Sequence, residues 1–288
     1  MSAALDRRLH AYRADLADIR LKHQIAAERY AEGWPATVIV PVAQIRPKPE
    51  ADIAIDTEAL FGETLNVFDR HNGWAWVQLD ADGYVGYMPE ADISAATGAG
   101  APTHLVSVPR SFVYPGADLR YPPAHALSMA SRVAVTGSAE TRGTGYAVLV
   151  DGTAMIAAHL RPIGESAAAD AVSVAASFLQ TPYLWGGRSG FGIDCSGLVQ
   201  MALAMTGKSA PRDSDQQSQN LGLAIDPARD ALKRGDLVFW KGHVGFLEDA
   251  QTLLHASGAT MSVTREPLQA AIERIARLYG PPTGYRRP

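Results

Sequence analysis

Between Ala36 and Arg161-Pro162 the apolar residues come in short β-rich runs cut by turn residues, a pattern that builds hairpins and leaves no room for long helices. Thr64–Phe68 and Trp74–Leu79 flank His71-Asn72-Gly73. Asn-Gly suits a two-residue hairpin turn, because both positions there need positive φ. Asp80-Ala81-Asp82-Gly83 is a second turn and Tyr84–Met88 a third strand, with Thr37–Val40 ahead of them. About five short strands in roughly 60 residues predict a small all-β barrel over 35–97. The same strand–turn–strand–turn–strand rhythm returns at 131–157 with little residue identity, beyond a Gly/Ala/Pro linker at Thr97–Pro102. Leu105–Val108, Arg132–Thr136, Tyr146–Val150 and Ala154–Ala157 are its strands, and they predict a second barrel over 101–162.

Both flanks read differently. Over 5–31, Leu5, Leu9, Leu16, Ile19 and Ile25 recur at roughly helical spacing until Gly33-Trp34-Pro35, predicting a helical arm over 1–34. After Arg161-Pro162, Ser166 is positioned to cap a helix with Val172, Ala175, Ala176 and Leu179 on its apolar face, stopped by Thr181-Pro182. A second helix over Cys195–Met205 is capped by Asp194 and ended by Gly207. Strands follow at Asp236–Trp240, His243–Leu247 and Thr252–Ala256. Helices first and strands after describe an α+β domain over 166–288.

Charge and cysteine usage exclude several classes. With 26 Lys and Arg against 30 Asp and Glu the net charge is −4, which argues against a dedicated nucleic-acid binder. Charges interrupt the N-terminal residues every few positions, so no apolar stretch of signal-peptide length opens the chain. The most apolar long stretch, Ser166–Gly187, contains Asp170 and Pro182 and is too weak to span a membrane. The expectation is a cytoplasmic protein. The single cysteine, Cys195, excludes an intramolecular disulfide framework and any multi-cysteine metal cluster.

That cysteine stands where chemistry is possible. Gly190-Phe191-Gly192-Ile193-Asp194 leads it into a helix N-terminus, where backbone N–H groups favour thiolate over thiol. A thiolate nucleophile needs a base and a group to orient that base. His243 opens the HVGFL strand and His255 sits in LLHASG. If the strands join through an odd loop such as Asp249–Gln251, both imidazoles face one side as diagonal neighbours, roughly 7–8 Å apart at the backbone. Gly242 and Gly245 leave room beside His243. A Cys-His-His zinc site with an open position fits the same residues at this point. The other six histidines are read as residues without a task.

TPYLWGG at 181–187, DCSGLVQ at 194–200, GDLVFW at 235–240, HVGF at 243–246 and LHASG at 254–258 together resemble the NlpC/P60 cysteine peptidases, in the family's order. The resemblance implies a papain-like catalytic domain acting on bacterial cell-wall peptides. It makes Cys195 the nucleophile, His243 the general base and His255 the residue orienting it, and places the Tyr183 hydroxyl near the oxyanion. Two SH3-like domains ahead of such a domain look like the γ-D-glutamyl-L-diamino acid endopeptidases of muropeptide recycling, the dipeptidyl-peptidase VI type. LFGE at 60–63 and GYVGYM at 83–88 resemble the first SH3 domain's contributions there, where it contacts the substrate's free N-terminal L-alanine.

A free ammonium in a closed subsite needs an anion and further acceptors. Glu63 and Asp194 are the expected anions and Tyr84 an acceptor. Ser196, Asp213 and Ser214 match substrate positions, and Trp185 is the expected groove wall; Asp213 and Ser214 read equally as caps of a helix over 215–220. The implied partner is a small muropeptide-derived peptide, with no cofactor, no nucleic acid and no membrane. Rival readings are an exported wall hydrolase anchored by its SH3 domains, and an inactive wall-peptide binding module.

Overall fold

The Asn-Gly turn organises the first part of the chain. In the computed structural model, which describes residues 5–95, 100–166 and 168–288, strand β1 (Trp34–Val38) precedes a hairpin of β2 (Thr64–His71) and β3 (Trp74–Leu79). His71 lies opposite Trp74, and Asn72 and Gly73 take φ of 49° and 78°, as such a turn requires. With β4 (Val85–Pro89) and β5 (Ile93–Ala95) these strands form a five-stranded sheet in the order β4-β3-β2-β1-β5. Val42–Ile45 and Thr57–Leu60 pair in a separate ladder. The core between them holds Val38, Ile45, Leu65, Val67, Val77, Leu79, Tyr84 and Met88.

A second five-stranded sheet repeats the theme. It contains β6 (Arg110–Tyr114), β7 (His125–Ser128), β8 (Val135–Thr141), β9 (Thr144–Leu149) and β10 (Ala154–Ile156), in the order β7-β6-β10-β9-β8. The β8–β9 turn is Arg142-Gly143, again with both φ positive. After the third strand of each meander come a short 3-10 turn and a three-residue strand: Glu90–Asp92 then Ile93–Ala95, which joins the first sheet, and Ala157–His159 then Leu160–Pro162, which pairs instead with His104–Val106. The expected barrels are corrected in one respect. Neither closes through a continuous ladder; each is an open sheet with a smaller companion ladder. Bulges between Val67 and Asp69 and between Val135 and Gly137 coil the long hairpins without completing the ring. Strands β6 and β7 lie outside the expected set. Of the expected linker, 97–99 lie outside the described residues, as do 1–4 of the arm.

The expected N-terminal helix does not form. Residues 5–31 carry only two three-residue strands, Leu16–Asp18 and Arg29–Ala31, and a 3-10 turn. Local side-chain bonds compete with helix formation there: Asp6 accepts from the Arg8 N–H, and Asp18 from the Arg20 N–H. The segment spends its leucines on the first sheet instead. Ala11 and Leu16 pack with Phe68, Trp76 and Val85, and the Val85 N–H donates to the Arg8 carbonyl.

The chain divides into two units, Met1–Ile163 and Gly164–Pro288. The second opens with α1 (Ala171–Ser177), capped by Asp170, which accepts from the Ser173 N–H at 3.0 Å. Ser166 is not the cap, because its hydroxyl donates to the Ala168 carbonyl. Helices α2 (Cys195–Ala204) and α3 (Ser214–Asn220) follow. Then come β11 (Leu223–Ile225), β12 (Leu237–Trp240), β13 (His243–Leu247), β14 (Thr252–Ser257), β15 (Ser262–Pro267), α4 (Leu268–Tyr279) and β16 (Gly284–Arg287). The strands form one antiparallel six-stranded sheet, ordered β11-β16-β12-β13-β14-β15. Helix α4 covers one face through Leu268, Ala271 and Ile275, against Val238, Leu247 and Leu253. Among the described residues no helix is long and apolar enough to cross a membrane.

Candidate active site

The site begins at the cap of α2. Asp194 is in extended conformation and its Oδ1 accepts from the Gly197 N–H at 2.7 Å, while Oδ2 accepts from the Gly186 N–H at 3.0 Å. Gly197 is required here: a Cβ would stand 2.4 Å from the Gly187 carbonyl oxygen. Cys195 is therefore fixed at the first helical position, buried, with its thiol facing the Gly242 carbonyl at 4.0 Å. The thiolate expected from the helix N-terminus is corrected. Burial, and after it the Asp194 carboxylate, push the thiol up to about 12, against the weaker pull of the Val244 N–H and Arg212.

The strands deliver the histidines. Phe246 opposes Leu254 and Leu247 opposes Leu253, so Gly245 lies opposite His255 and His243 is its diagonal neighbour. Alternation places His243, Leu247, Leu253 and His255 on the face that α4 covers. Gly245 allows the approach: a Cβ there would lie 2.9 Å from His255 Cβ. His243 Nε2 and His255 Nδ1 are 2.7 Å apart, and His255 Nε2 lies 2.7 Å from Glu266 Oε1. Burial first, and then the neighbouring His255 and Arg274, push His243 down to about 3, so the imidazole is neutral at pH 7. Its flanking residues, Gly242 and Val244, reach the Cys195 sulfur, as does the Ser196 N–H.

The remaining expected residues divide by unit. Tyr183 is half-buried, and burial, followed by the Cys195 and Asp194 charges, pushes its phenol well above the usual range. Together with Trp185, His243, His255, Arg274 and Tyr279 it lines a groove of about 460 Å³. Trp185 is 66% exposed. Ser196 is buried, and its hydroxyl accepts from Arg212 at 2.9 Å. Asp213 occupies the cap position of α3, but its side chain makes no cap bond; Ser214 opens that helix. Gln217 on α3 donates to the Ser196 carbonyl at 3.0 Å, bringing this helix to the start of α2. Glu63 and Tyr84 belong to the first unit, and each is only 3% exposed. The Leu60 N–H donates to Glu63, and the Tyr84 ring is part of the first core.

One expectation fails on charge. Asp194 is not an unpaired anion awaiting an ammonium, because Arg212, 1% exposed, grips both its oxygens at 3.0 and 2.6 Å. Sequence reading passed over Arg212, although it lies in the PRDS run beside Asp213, and over Glu266 and Arg274. The only sequence signal for Glu266 is its place on the alternation of the strand that follows LHASG. Among the described residues no cluster of His, Cys, Asp and Glu is disposed to share a metal ion.

Similarity to known proteins agrees with this constellation. Residues 180–275 match the NlpC/P60 family and 45–93 the bacterial dipeptidyl-peptidase SH3 domain. A Bacillus cereus protein, gamma-D-glutamyl-L-lysine dipeptidyl-peptidase, is 30% identical over 244 residues, 74% of this chain and 71% of that protein. The chain belongs to the NlpC/P60 family. It is accordingly a cysteine peptidase with an SH3 domain ahead of its NlpC/P60 domain. A Bacillus subtilis protein with the same name is 29% identical over 236 residues, 74% of this chain and 75% of its own. The crystal structure of an NlpC/P60 family protein from Bacillus cereus superposes with a TM-score of 0.72 at 25% identity, over 88% of this chain and 99% of that one. The likeness to NlpC/P60 proteins thus extends well beyond the catalytic domain.

Proposed function

We propose that this NlpC/P60 enzyme hydrolyses the γ-D-glutamyl-L-diamino acid bond of free cell-wall peptides carrying an N-terminal L-alanine, in cytoplasmic peptidoglycan recycling. The observation that carries the reading is the hydrogen-bonded imidazole pair whose His243 follows directly on Gly242, the residue that faces the buried thiol of α2. The two Bacillus relatives, both named for a γ-D-glutamyl bond, supply the substrate class.

In this reading Cys195 is the nucleophile, His243 the base and His255 its orienting partner. Because the resting pair is neutral, His243 removes the thiol proton as the sulfur attacks the γ-carbonyl carbon. The carbonyl electron pair moves onto oxygen, which the Tyr183 hydroxyl helps to hold. Collapse breaks the C–N bond, and the proton on His243 passes to the departing amine of the diamino acid. Water then attacks the thioester, giving up a proton to His243. The C–S bond breaks, the thiol is restored, and L-Ala-D-Glu leaves.

The residue range 101–162 is a second SH3-like domain. Its paired-φ hairpin turn, bulge, 3-10 turn and closing strand recur in the order seen at 64–95. Glu63 and Tyr84 take part in recognising the free amine. Asp194 and Ser196, already bonded to Arg212, contribute polar surface to the substrate site without net charge, and Asp213, Ser214 and Trp185 complete it. Incubation with L-Ala-γ-D-Glu-meso-diaminopimelate, followed by mass analysis, is expected to give L-Ala-D-Glu and free diaminopimelate. Cys195→Ala should abolish that turnover while changing stability by only about 1 kcal/mol. Cleavage at another bond, or turnover near the parent rate in the variant, would overturn the reading.

A further inference from the structure

Two hydrogen-bonded imidazoles in series have two proton arrangements, and only one leaves His243 able to act as a base. His243 Nε2 is occupied by His255 Nδ1, so the nitrogen available to the thiol is Nδ1. If His255 carries its proton on Nδ1, it donates to His243 Nε2; neutral His243 then has its own proton on Nδ1 and cannot accept another. If His255 carries its proton on Nε2, its Nδ1 is a bare acceptor. His243 then donates from Nε2 and presents a lone pair at Nδ1. The relative stability of the two arrangements therefore decides whether Cys195 faces a base.

We infer that Glu266 is the positioning residue that makes this choice, holding the proton of His255 on Nε2 and thereby freeing Nδ1 of His243 for the Cys195 thiol. The inference rests on reading Cys195 and His243 as nucleophile and base. The geometry is specific. Leu253 lies opposite Glu266 and His255 opposite Thr264, so Glu266 is a diagonal neighbour of His255 on the same face of the sheet. The Glu266 carboxylate stands 2.7 Å from Nε2 of His255, a residue only 1% exposed, and among the described residues that nitrogen has no other hydrogen-bond partner. An ionised carboxylate can only accept, so His255 Nε2 must donate. Arg274 of α4 pairs with the same carboxylate. Donation from His255 first, and the Arg274 ion pair with it, hold the Glu266 carboxyl below its ordinary range and keep it an acceptor at neutral pH. The charge thus acts two imidazoles away from the sulfur without touching substrate.

The test is nitrogen NMR of the full chain labelled with 15N-histidine, read beside steady-state kinetics on the tripeptide. In the parent at pH 7 both His243 and His255 should show a protonated Nε2 and a bare Nδ1. Glu266→Gln keeps an acceptor oxygen and should retain most of that preference. Glu266→Met removes it, and is expected to redistribute the histidine protons and lower kcat between about 10-fold and 100-fold, with KM little changed. A merely structural carboxylate would lower the melting temperature without moving the tautomers. Protonated Nδ1 in the parent, or parental tautomers and kcat in folded Glu266→Met, would overturn the inference. Should Glu266→Met not fold, the parent spectrum and Glu266→Gln still decide it. Predicted tautomers without tripeptide cleavage would refute the substrate assignment and leave the proton arrangement standing.

Discussion

Burial drives the Cys195 thiol and the His243 imidazole each toward its neutral form at rest, and this is the chemical statement most specific to these residues. The thiol is raised and the imidazole lowered, both chiefly by burial, so at pH 7 the proton sits on sulfur. Only thiolate reacts with an alkylating agent. Since the thiol lies above its ordinary 9.0, iodoacetamide labelling of the resting enzyme should keep rising by about tenfold per pH unit through pH 10. A plateau below pH 9 would contradict the neutral thiol. The Asp194–Arg212 pair beside it makes a second residue-scale claim. Arg212→Met leaves a buried carboxylate bonded only to N–H and hydroxyl groups, and should cost about 3–5 kcal/mol in denaturant unfolding. A loss under 1 kcal/mol would show that the pair is not what holds the cap of α2.

At the scale of elements, the site is a matter of strand register. Gly245 is the point at which β13 and β14 approach most tightly under the histidines: added carbon would meet Leu253 Cδ1 at 2.7 Å as well as His255 Cβ. Gly245→Ala should therefore push the imidazoles apart, lowering kcat by about 100-fold while the fold survives at a cost of about 1–3 kcal/mol. Parental kcat with a well-folded variant would show that the register is not so constrained. This register was legible in the sequence. The Asp249–Gln251 loop fixes the pairing parity, just as Asn72-Gly73 fixes the first hairpin and Asp194 the start of α2, because local turn and cap chemistry decides all three. Glu266 was not legible. A glutamate in TREP reads as a solvated edge charge until β15 is placed beside β14 through the 258–261 turn, whose residues carry no clear hairpin signal. The N-terminal segment misled for the opposite reason: its leucine spacing suggested a helix, but Phe68 and Trp76 offered Leu16 a better surface.

At the scale of the whole molecule, the central proposal is that the substrate is one small peptide with a free amine. Buried Glu63 is the proposed charge partner of that amine, since Asp194 is already neutralised by Arg212. The decisive measurement is kcat/KM on L-Ala-γ-D-Glu-meso-diaminopimelate against the same peptide acetylated at its N-terminus, with Glu63→Gln assayed on the free-amine form and its melting temperature recorded. Acetylation removes the charge and adds bulk, and the loss of a desolvated pair is roughly 2–5 kcal/mol, so kcat/KM should fall by about 30-fold to several-thousand-fold. Folded Glu63→Gln should reproduce much of that fall. Equal turnover of the free and acetylated peptides, or digestion of intact wall as fast as free tripeptide, would contradict the account.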